Sequence, residues 1–269
     1  MSTEDIMTDS DDHGESVDPK VRALTGRKVE EDIKTYIKLL DSNASEQRIH
    51  SFLASHSYFF NGLIRLGGAS PLYSKVRLGS DYEIDFVWFD AGSLGLEWSL
   101  AEIEPPQFLL FNREGDPSAR LTHAIGQIRN WQTWVDDHKE YAEKLMPGIE
   151  HPLGLLFMGR RSELSSMKAQ KKLRQLAFDQ RMFLRIHTLD WFAQNAESVV
   201  NLVERGGGTW WLPMNAYSHR KLAASLPKVS RRWIDKPYVK LRSRSMLKVR
   251  LDDRRDGYAE YERELDNGS

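Results

Sequence analysis

YEIDFVWF at residues 82–89 and LGLEWSLAEIE at residues 94–104 are the two stretches that decide the fold of this chain. Aromatic and branched residues dominate the first stretch, which is typical of a buried strand. Period-two geometry in the second stretch sends Glu102 and Glu104 to one face of a strand, which two following prolines end. Ionised carboxylates are unusual in such apolar segments. Asp85 and the two glutamates are therefore candidate functional residues.

The rest of the chain alternates helical and strand-like patterns around these two strands. Apolar residues at helical spacing predict helices, and short apolar or alternating runs predict strands. The predicted helices cover residues 29–40, 46–53, 121–138 and 168–182, and the predicted strands cover residues 75–78, 82–89, 94–104, 153–158 and 183–189. This order predicts an α/β fold with a mixed β-sheet flanked by α-helices.

Composition restricts the class of protein. The 269 residues carry a formal net charge of -1, which argues against a wholly basic protein that coats nucleic acid but allows a local basic groove. The absence of cysteine excludes disulfides and thiolate zinc sites. The acidic start of the chain lacks a signal-peptide pattern, and no run approaches the roughly 20 apolar residues that cross a bilayer. We therefore expect a cytoplasmic protein without membrane contact.

Three regions of different composition are predicted. Residues 1–25 are acidic and poor in large apolar side chains, which predicts disorder because such a segment buries too little surface to offset its ordering entropy. Residues 26–205 carry the α/β pattern. Residues 206–269 form an appendage in which eleven Lys or Arg and one acid fall between positions 219 and 250, before an acidic end. This basic stretch could follow a phosphate backbone, form a solvated tail or dock on a partner protein.

Carboxylates that converge at strand ends suit a hard divalent cation. Oxygen ligands match Mg²⁺ or Mn²⁺, and anionic charge offsets the cost of removing water from the ion. Such an ion can polarise a phosphate and position a nucleophile. The pattern of Asp85, Glu102 and Glu104 therefore predicts a metal site that can support phosphodiester hydrolysis. In the plainer interpretation, Asp85 caps a loop amide or pairs with an arginine.

At these residues the chain resembles the PD-(D/E)xK nuclease superfamily, in which an acid ends one strand and an acid-x-lysine motif ends the next. More narrowly, it resembles the nuclease domain of the Shedu anti-phage defence family over roughly residues 29–200. The segments that carry this resemblance are Asp85-Phe86, Ala101-Glu102-Ile103-Glu104-Pro105-Pro106, Ala124-Ile125-Gly126-Gln127-Ile128 with Trp131, the 46–53 helix and Ile186-His187-Thr188-Leu189-Asp190. The resemblance implies a restriction-endonuclease-like core within residues 26–205.

The resemblance also implies a role for each site residue. Asp85 and Glu102 would bind Mg²⁺ or Mn²⁺. Glu46 is a candidate third ligand, although the helix dipole alone explains an acid in a first helical turn. Glu104 stands where the superfamily usually has lysine, and it would be a further ligand or the base that activates water. Gln127 would orient a carboxylate, a water or a phosphate, or it bonds only to backbone.

The function that follows is metal-dependent hydrolysis of DNA by an endonuclease that acts in anti-phage defence. Two alternatives stay open. The chain could keep the nuclease fold without turnover and bind or sense nucleic acid, which Glu104 in place of lysine favours, or it could be a partner-binding protein. The expected partners are DNA, further copies of the chain in a homo-oligomer, and a protein bound through residues 206–269.

Overall fold

The computed structural model describes residues 21–64, 72–92, 95–208, 210–213, 215–219 and 222. Its helices are α1 (Gly26–Asp41), α2 (Glu46–Ala54), α3 (Ala119–Asp137), α4 (Lys139–Leu145), α5 (Met167–Gln180) and α6 (Asp190–Arg205). Its strands are β1 (Val21–Leu24), β2 (Tyr73–Leu78), β3 (Tyr82–Gly92), β4 (Gly95–Ile103), β5 (Leu153–Phe157), β6 (Leu184–His187), β7 (Trp210–Pro213) and β8 (Tyr217–Ser218). Short 3₁₀ helices cover Ser57–Phe60 and Arg161–Leu164.

Six of these strands form one mixed sheet in the order β6-β5-β4-β3-β2-β8. β2, β3 and β4 are antiparallel neighbours, whereas β4, β5 and β6 run parallel. The carboxyl ends of the parallel strands therefore meet at one edge of the sheet, which is where open α/β sheets place their ligand sites. The predicted α/β class, with a mixed sheet flanked by helices, is confirmed. The arrangement is consistent with a restriction-endonuclease-like core.

Two hydrophobic cores cover opposite faces of the sheet. α1, α2 and α6 contribute to one core, in which the rings of Phe157 and Phe192 lie 4.3 Å apart between centroids. α3 and α4 contribute to the other core, in which Trp131 is completely buried. Because α2 and α3 belong to opposite faces, side chains from both helices can reach the end of β4.

Strand β1 corrects the predicted N-terminal boundary. Residues 21–24 lie within the segment that composition predicts to be disordered, yet they pair antiparallel with β7. Thr25 then caps α1, since its side chain accepts a hydrogen bond from the backbone N–H of Lys28 at 3.3 Å. The local pattern does not reveal β1 because its partner strand lies almost 190 residues later in the chain. Residues 1–20 lie outside the described residues.

Strands β7 and β8 belong to the segment 206–269, which composition predicts to be a separate appendage. β8 pairs parallel with β2 through Tyr73 and Tyr217, so the main sheet continues past residue 205. The basic stretch between positions 219 and 250 lies outside the described residues, apart from His219 and Leu222.

Helix α6 is absent from the predicted elements, although its sequence contains the signal. Phe192, Ala196, Val199 and Val203 are buried and recur at helical spacing. Among the helices in the described part of the chain, none combines the length and apolar character needed to cross a membrane.

Candidate active site at the end of strand β4

Asp85 is buried on β3 with both carboxylate oxygens engaged. Its Oδ1 accepts a hydrogen bond from Nζ of Lys75 at 2.7 Å, and its Oδ2 accepts one from the backbone N–H of Ile103 at 2.9 Å. The side chain is only 4% exposed. The bond to Ile103 ties the aspartate to the last residue of β4, because β3 and β4 are antiparallel neighbours whose ladder runs up to the pair Phe86 and Ala101.

Glu102 lies one residue before the end of β4 and faces helix α3. Its Oε1 accepts a hydrogen bond from Nε2 of Gln127 at 2.7 Å. Burial raises the pKa of Glu102 well above its usual range, and the negative charges of Asp85 and Glu104 raise it further. The protein thus holds this carboxyl group in surroundings that disfavour its charged form unless a cation compensates.

Glu104 follows β4 directly and is the most buried of the site acids, at 1% exposure. Its Oε2 accepts a hydrogen bond from Nε of Arg120 at 2.6 Å, whereas its buried Oε1 has no hydrogen-bond partner among the described residues. Burial raises the pKa of Glu104, and Arg120 opposes that rise. Arg120 also lies over the ring of Phe108, 4.9 Å from its centroid, which orients the guanidinium.

Glu46 occupies the first turn of α2 and is half-buried on the side of the sheet opposite to α3. Burial raises its pKa, and the charge of Asp85 raises it further, while Lys75 and Arg120 lower it. Glu46 therefore belongs to the same electrostatic cluster as the strand acids. Two contacts of His50 hold α2 in this place: its Nε2 lies 3.2 Å from the backbone oxygen of Asp85, and its ring stacks on Phe86.

The structure adds residues that the motif did not indicate. Lys75 and Arg120 are the cations of the cluster, and His50 anchors α2 beside it. A signal for Lys75 existed, because a hairpin that turns at residues 79–81 places Lys75 directly across from Asp85. A signal for Arg120 was its seven-residue spacing from Gln127, which puts both side chains on one face of a helix.

The donor set fits a hard divalent cation in its chemistry. Four carboxyl groups, those of Glu46, Asp85, Glu102 and Glu104, share their surroundings with two cationic side chains from the described part of the chain, Lys75 and Arg120. Oε1 of Glu104 is a buried oxygen to which no described residue donates a hydrogen bond. Among the described residues, no three acid or histidine side chains already surround a common point in metal-binding geometry. Mg²⁺ needs no such cage, since it keeps several waters and commonly takes one or two carboxylates.

The sequence of this region matches a known protein family. A family model described as Shedu protein SduA, C-terminal, matches residues 43–192, which is more than half of the chain. The match includes every residue of the candidate site described above. A search of curated proteins gave no match. The chain belongs to the Shedu SduA C-terminal family, which implies a role in anti-phage defence.

Proposed function

We propose that this protein is a divalent-metal-dependent DNA endonuclease of anti-phage defence. The observation that carries the proposal is the excess of carboxyl groups at the end of β4, where burial and mutual repulsion raise the pKa of Glu46, Glu102 and Glu104. A divalent cation offsets that repulsion. Carboxylates that are costly to keep without a cation are typical of functional sites rather than of stabilising ones.

Asp85 and Glu102 would hold the ion, and Glu46 is the candidate third ligand. The bond from the Ile103 N–H orients the Asp85 carboxylate, and Gln127 orients that of Glu102. A bound Mg²⁺ or Mn²⁺ would supply charge neutralisation at the phosphate and a lowered pKa for a coordinated water. Oriented ligands matter because loss of a supporting hydrogen bond commonly costs about 10- to 100-fold in affinity or activity.

The reaction consumes one water. Its oxygen forms the new bond to phosphorus while the bond from phosphorus to the leaving oxygen breaks. One proton of the water ends on the leaving oxygen, and the other is released as the new phosphate monoester ionises. Glu104 is a candidate acceptor for that released proton, because its Oε1 has no partner among the described residues and its raised pKa makes it a stronger base than an exposed carboxylate.

The substitution Glu102→Gln tests the proposal with little change in shape. The amide keeps an acceptor for Gln127 but loses the charge that would bind the ion. We expect wild-type protein to bind Mg²⁺ or Mn²⁺ in calorimetry and to cleave plasmid, linear duplex or single-stranded DNA. The variant should bind the ion weakly and cleave at least about 10²-fold more slowly. Glu97→Gln is the matched control, because Glu97 is an exposed acid on the same strand.

Thermal unfolding gives a second readout of the same variant. In a chelator, Glu102→Gln should be at least as stable as wild type, since a buried and repelled carboxylate has been removed. Added Mg²⁺ should raise the melting temperature of the wild type and leave that of the variant unchanged. A wild-type protein whose stability and DNA-cleaving activity both ignore Mg²⁺ and Mn²⁺ would overturn the proposal.

A second candidate function is a nuclease-fold protein that binds or senses nucleic acid without turnover. The observation that favours it is Glu104, which stands in the position of the usual lysine and is paired with Arg120. This candidate predicts DNA binding without cleavage in any divalent ion. Docking of a partner protein through residues 206–269 stays a prediction, since most of that segment lies outside the described residues, and so does a homo-oligomer.

A further inference from the structure

The Lys and Arg side chains of the site are the groups that can bind an anionic phosphate. Four acids would repel DNA, so any cation that faces solvent beside them decides whether a phosphate can approach. In the described part of the chain, the cations that shift the pKa values of the site acids are Lys75 and Arg120. The guanidinium of Arg120 bonds to Glu104 and lies over the ring of Phe108, and these two contacts restrain it beside Glu104.

Lys75 and Arg120 are about equally exposed, at 41% and 39%, but Arg120 is also held by the ring of Phe108. Nζ of Lys75 lies 2.7 Å from Oδ1 of Asp85, whose side chain is 4% exposed. A longer contact of 3.5 Å joins Nζ to Glu83. The ammonium thus lies at the boundary between the buried acids and solvent, where an incoming phosphate can reach it.

The backbone at Lys75 is strained. Lys75 has φ of +51°, in the left-handed region that is unfavourable for a residue other than glycine. The ladder between β2 and β3 pairs Ser74 with Phe86 and Val76 with Ile84, so Lys75 lies across from Asp85. The usual alternation breaks at the same place, because Tyr73 and Val76 both enter the core on the α3 face. Local strain of this kind concentrates at functional sites.

We propose that Lys75, delivered from β2, supplies the ammonium group that contacts the scissile phosphate of DNA in place of the lysine absent at position 104. This inference rests on the proposed function. The ammonium donates hydrogen bonds to a non-bridging phosphate oxygen and neutralises part of the charge that develops there. It keeps its protons throughout, so the bond changes and proton transfers of hydrolysis stay as described above.

The experiment compares Lys75→Met, Lys75→Arg and the control Lys139→Met. Lys139 is also an ion-paired lysine, at 2.9 Å from Glu150, but it follows the far end of α3 from Arg120. Two quantities are measured for each protein: the single-turnover rate of DNA cleavage with Mg²⁺, and the affinity for a DNA duplex in EDTA from about 50 to 200 mM salt.

Lys75→Met should cleave about 10²- to 10³-fold more slowly, which is the usual cost of one donor to a transition-state oxyanion. The slope of log affinity against log salt should fall by about 1, because one phosphate contact is lost. Lys75→Arg should keep the wild-type slope, and Lys139→Met should keep both the slope and the rate. Loss of a merely structural ion pair with Asp85 would not reduce the salt slope.

Either an unchanged salt slope or an unchanged cleavage rate in Lys75→Met overturns the assignment of Lys75. That result leaves the proposed function intact if the wild type still cleaves. A wild-type protein that does not cleave overturns the proposed function instead, and the salt slope measured in EDTA then decides by itself whether Lys75 contacts phosphate. The two failures are therefore distinguishable.

Discussion

Gln127 on α3 donates a hydrogen bond to Oε1 of Glu102 at 2.7 Å and so joins this helix to the end of β4. We expect Gln127→Ala to reduce metal affinity and DNA cleavage by about 10- to 100-fold, because the Glu102 carboxylate loses its orientation. Gln132→Ala is the control on the same helix, since Gln132 donates to backbone oxygens of Pro152 and Phe183 rather than to a site carboxylate. Calorimetry and cleavage rates should separate the two, and equal losses in both variants would contradict an orienting role.

Arg120→Met should destabilise the fold, because Glu104 would keep a buried charge without its ion-pair partner. Arg120 is itself 39% exposed, so we expect a loss of about 1 to 3 kcal/mol in the free energy of unfolding. Adding Glu104→Gln should recover part of that loss, since it removes the stranded charge. Urea denaturation measures both effects.

Arg27→Met is the control for the loss of an arginine ion pair. Arg27 is 88% exposed and bonds to Glu31 one helical turn later, so its removal should cost less than about 1 kcal/mol. A loss in Arg120→Met no larger than this control would show that Glu104 does not depend on Arg120.

Asp32 predicts a defined pH dependence of stability. Burial opposes its ionisation, but the His56 imidazole 3.6 Å away and hydrogen bonds from Lys28 and Tyr58 prevail and lower the pKa of Asp32 to about 2. Because the folded-state pKa lies below the unfolded value, the stabilisation is complete above about pH 4 and is lost as the pH falls toward 2. Asp32→Asn should therefore cost about 2 kcal/mol at neutral pH, and the gap to wild type should close in acid.

Urea denaturation at several pH values between 7 and 3 would measure this gap. The exposed Asp137→Asn on α3 is the control and should change stability by less than about 0.5 kcal/mol at any pH. A gap between Asp32→Asn and wild type that is constant with pH would contradict the assignment.

Alanine substitutions at two glycines should have opposite effects on the free energy of unfolding. A Cβ at Gly154 on β5 would lie 2.4 Å from Cγ2 of Ile128 and 3.0 Å from the backbone oxygen of Phe183, so Gly154→Ala should cost about 1 to 3 kcal/mol. A Cβ at Gly126 in α3 would meet nothing within 4 Å, so Gly126→Ala should stabilise by about 0.5 to 1 kcal/mol. Thermal or urea unfolding measures both, and a neutral Gly154→Ala would show that α3 and β5 can separate without cost.

The sequence predicted most of the sheet because its strands carry strong local signals. The aromatic run at residues 82–89 became β3, and the alternating run that ends at two prolines became β4. It did not predict β1, whose four residues acquire strand geometry only through pairing with β7. Short segments of this kind depend on a distant partner, and local periodicity carries no information about that partner.

The sequence likewise predicted one part of the candidate site and not the other. The local pattern placed Asp85, Glu102 and Glu104 at neighbouring strand ends and put Gln127 on the helix that follows, and in the structure Gln127 bonds to Glu102. The local pattern did not reveal which Lys or Arg side chain would form an ion pair with each acid. In the structure Lys75 pairs with Asp85 and Arg120 pairs with Glu104.

By itself, then, the sequence determined the α/β class, the strand-end acids and the family, because these depend on local periodicity and on a contiguous motif. Only the tertiary structure decided the charge balance of the site. Lys75 reaches Asp85 through the register of the β2–β3 hairpin and a left-handed backbone, and Arg120 reaches Glu104 because α3 docks across the end of β4. Electrostatic energy depends on distance and burial in space, and neither quantity is written in the order of residues along the chain.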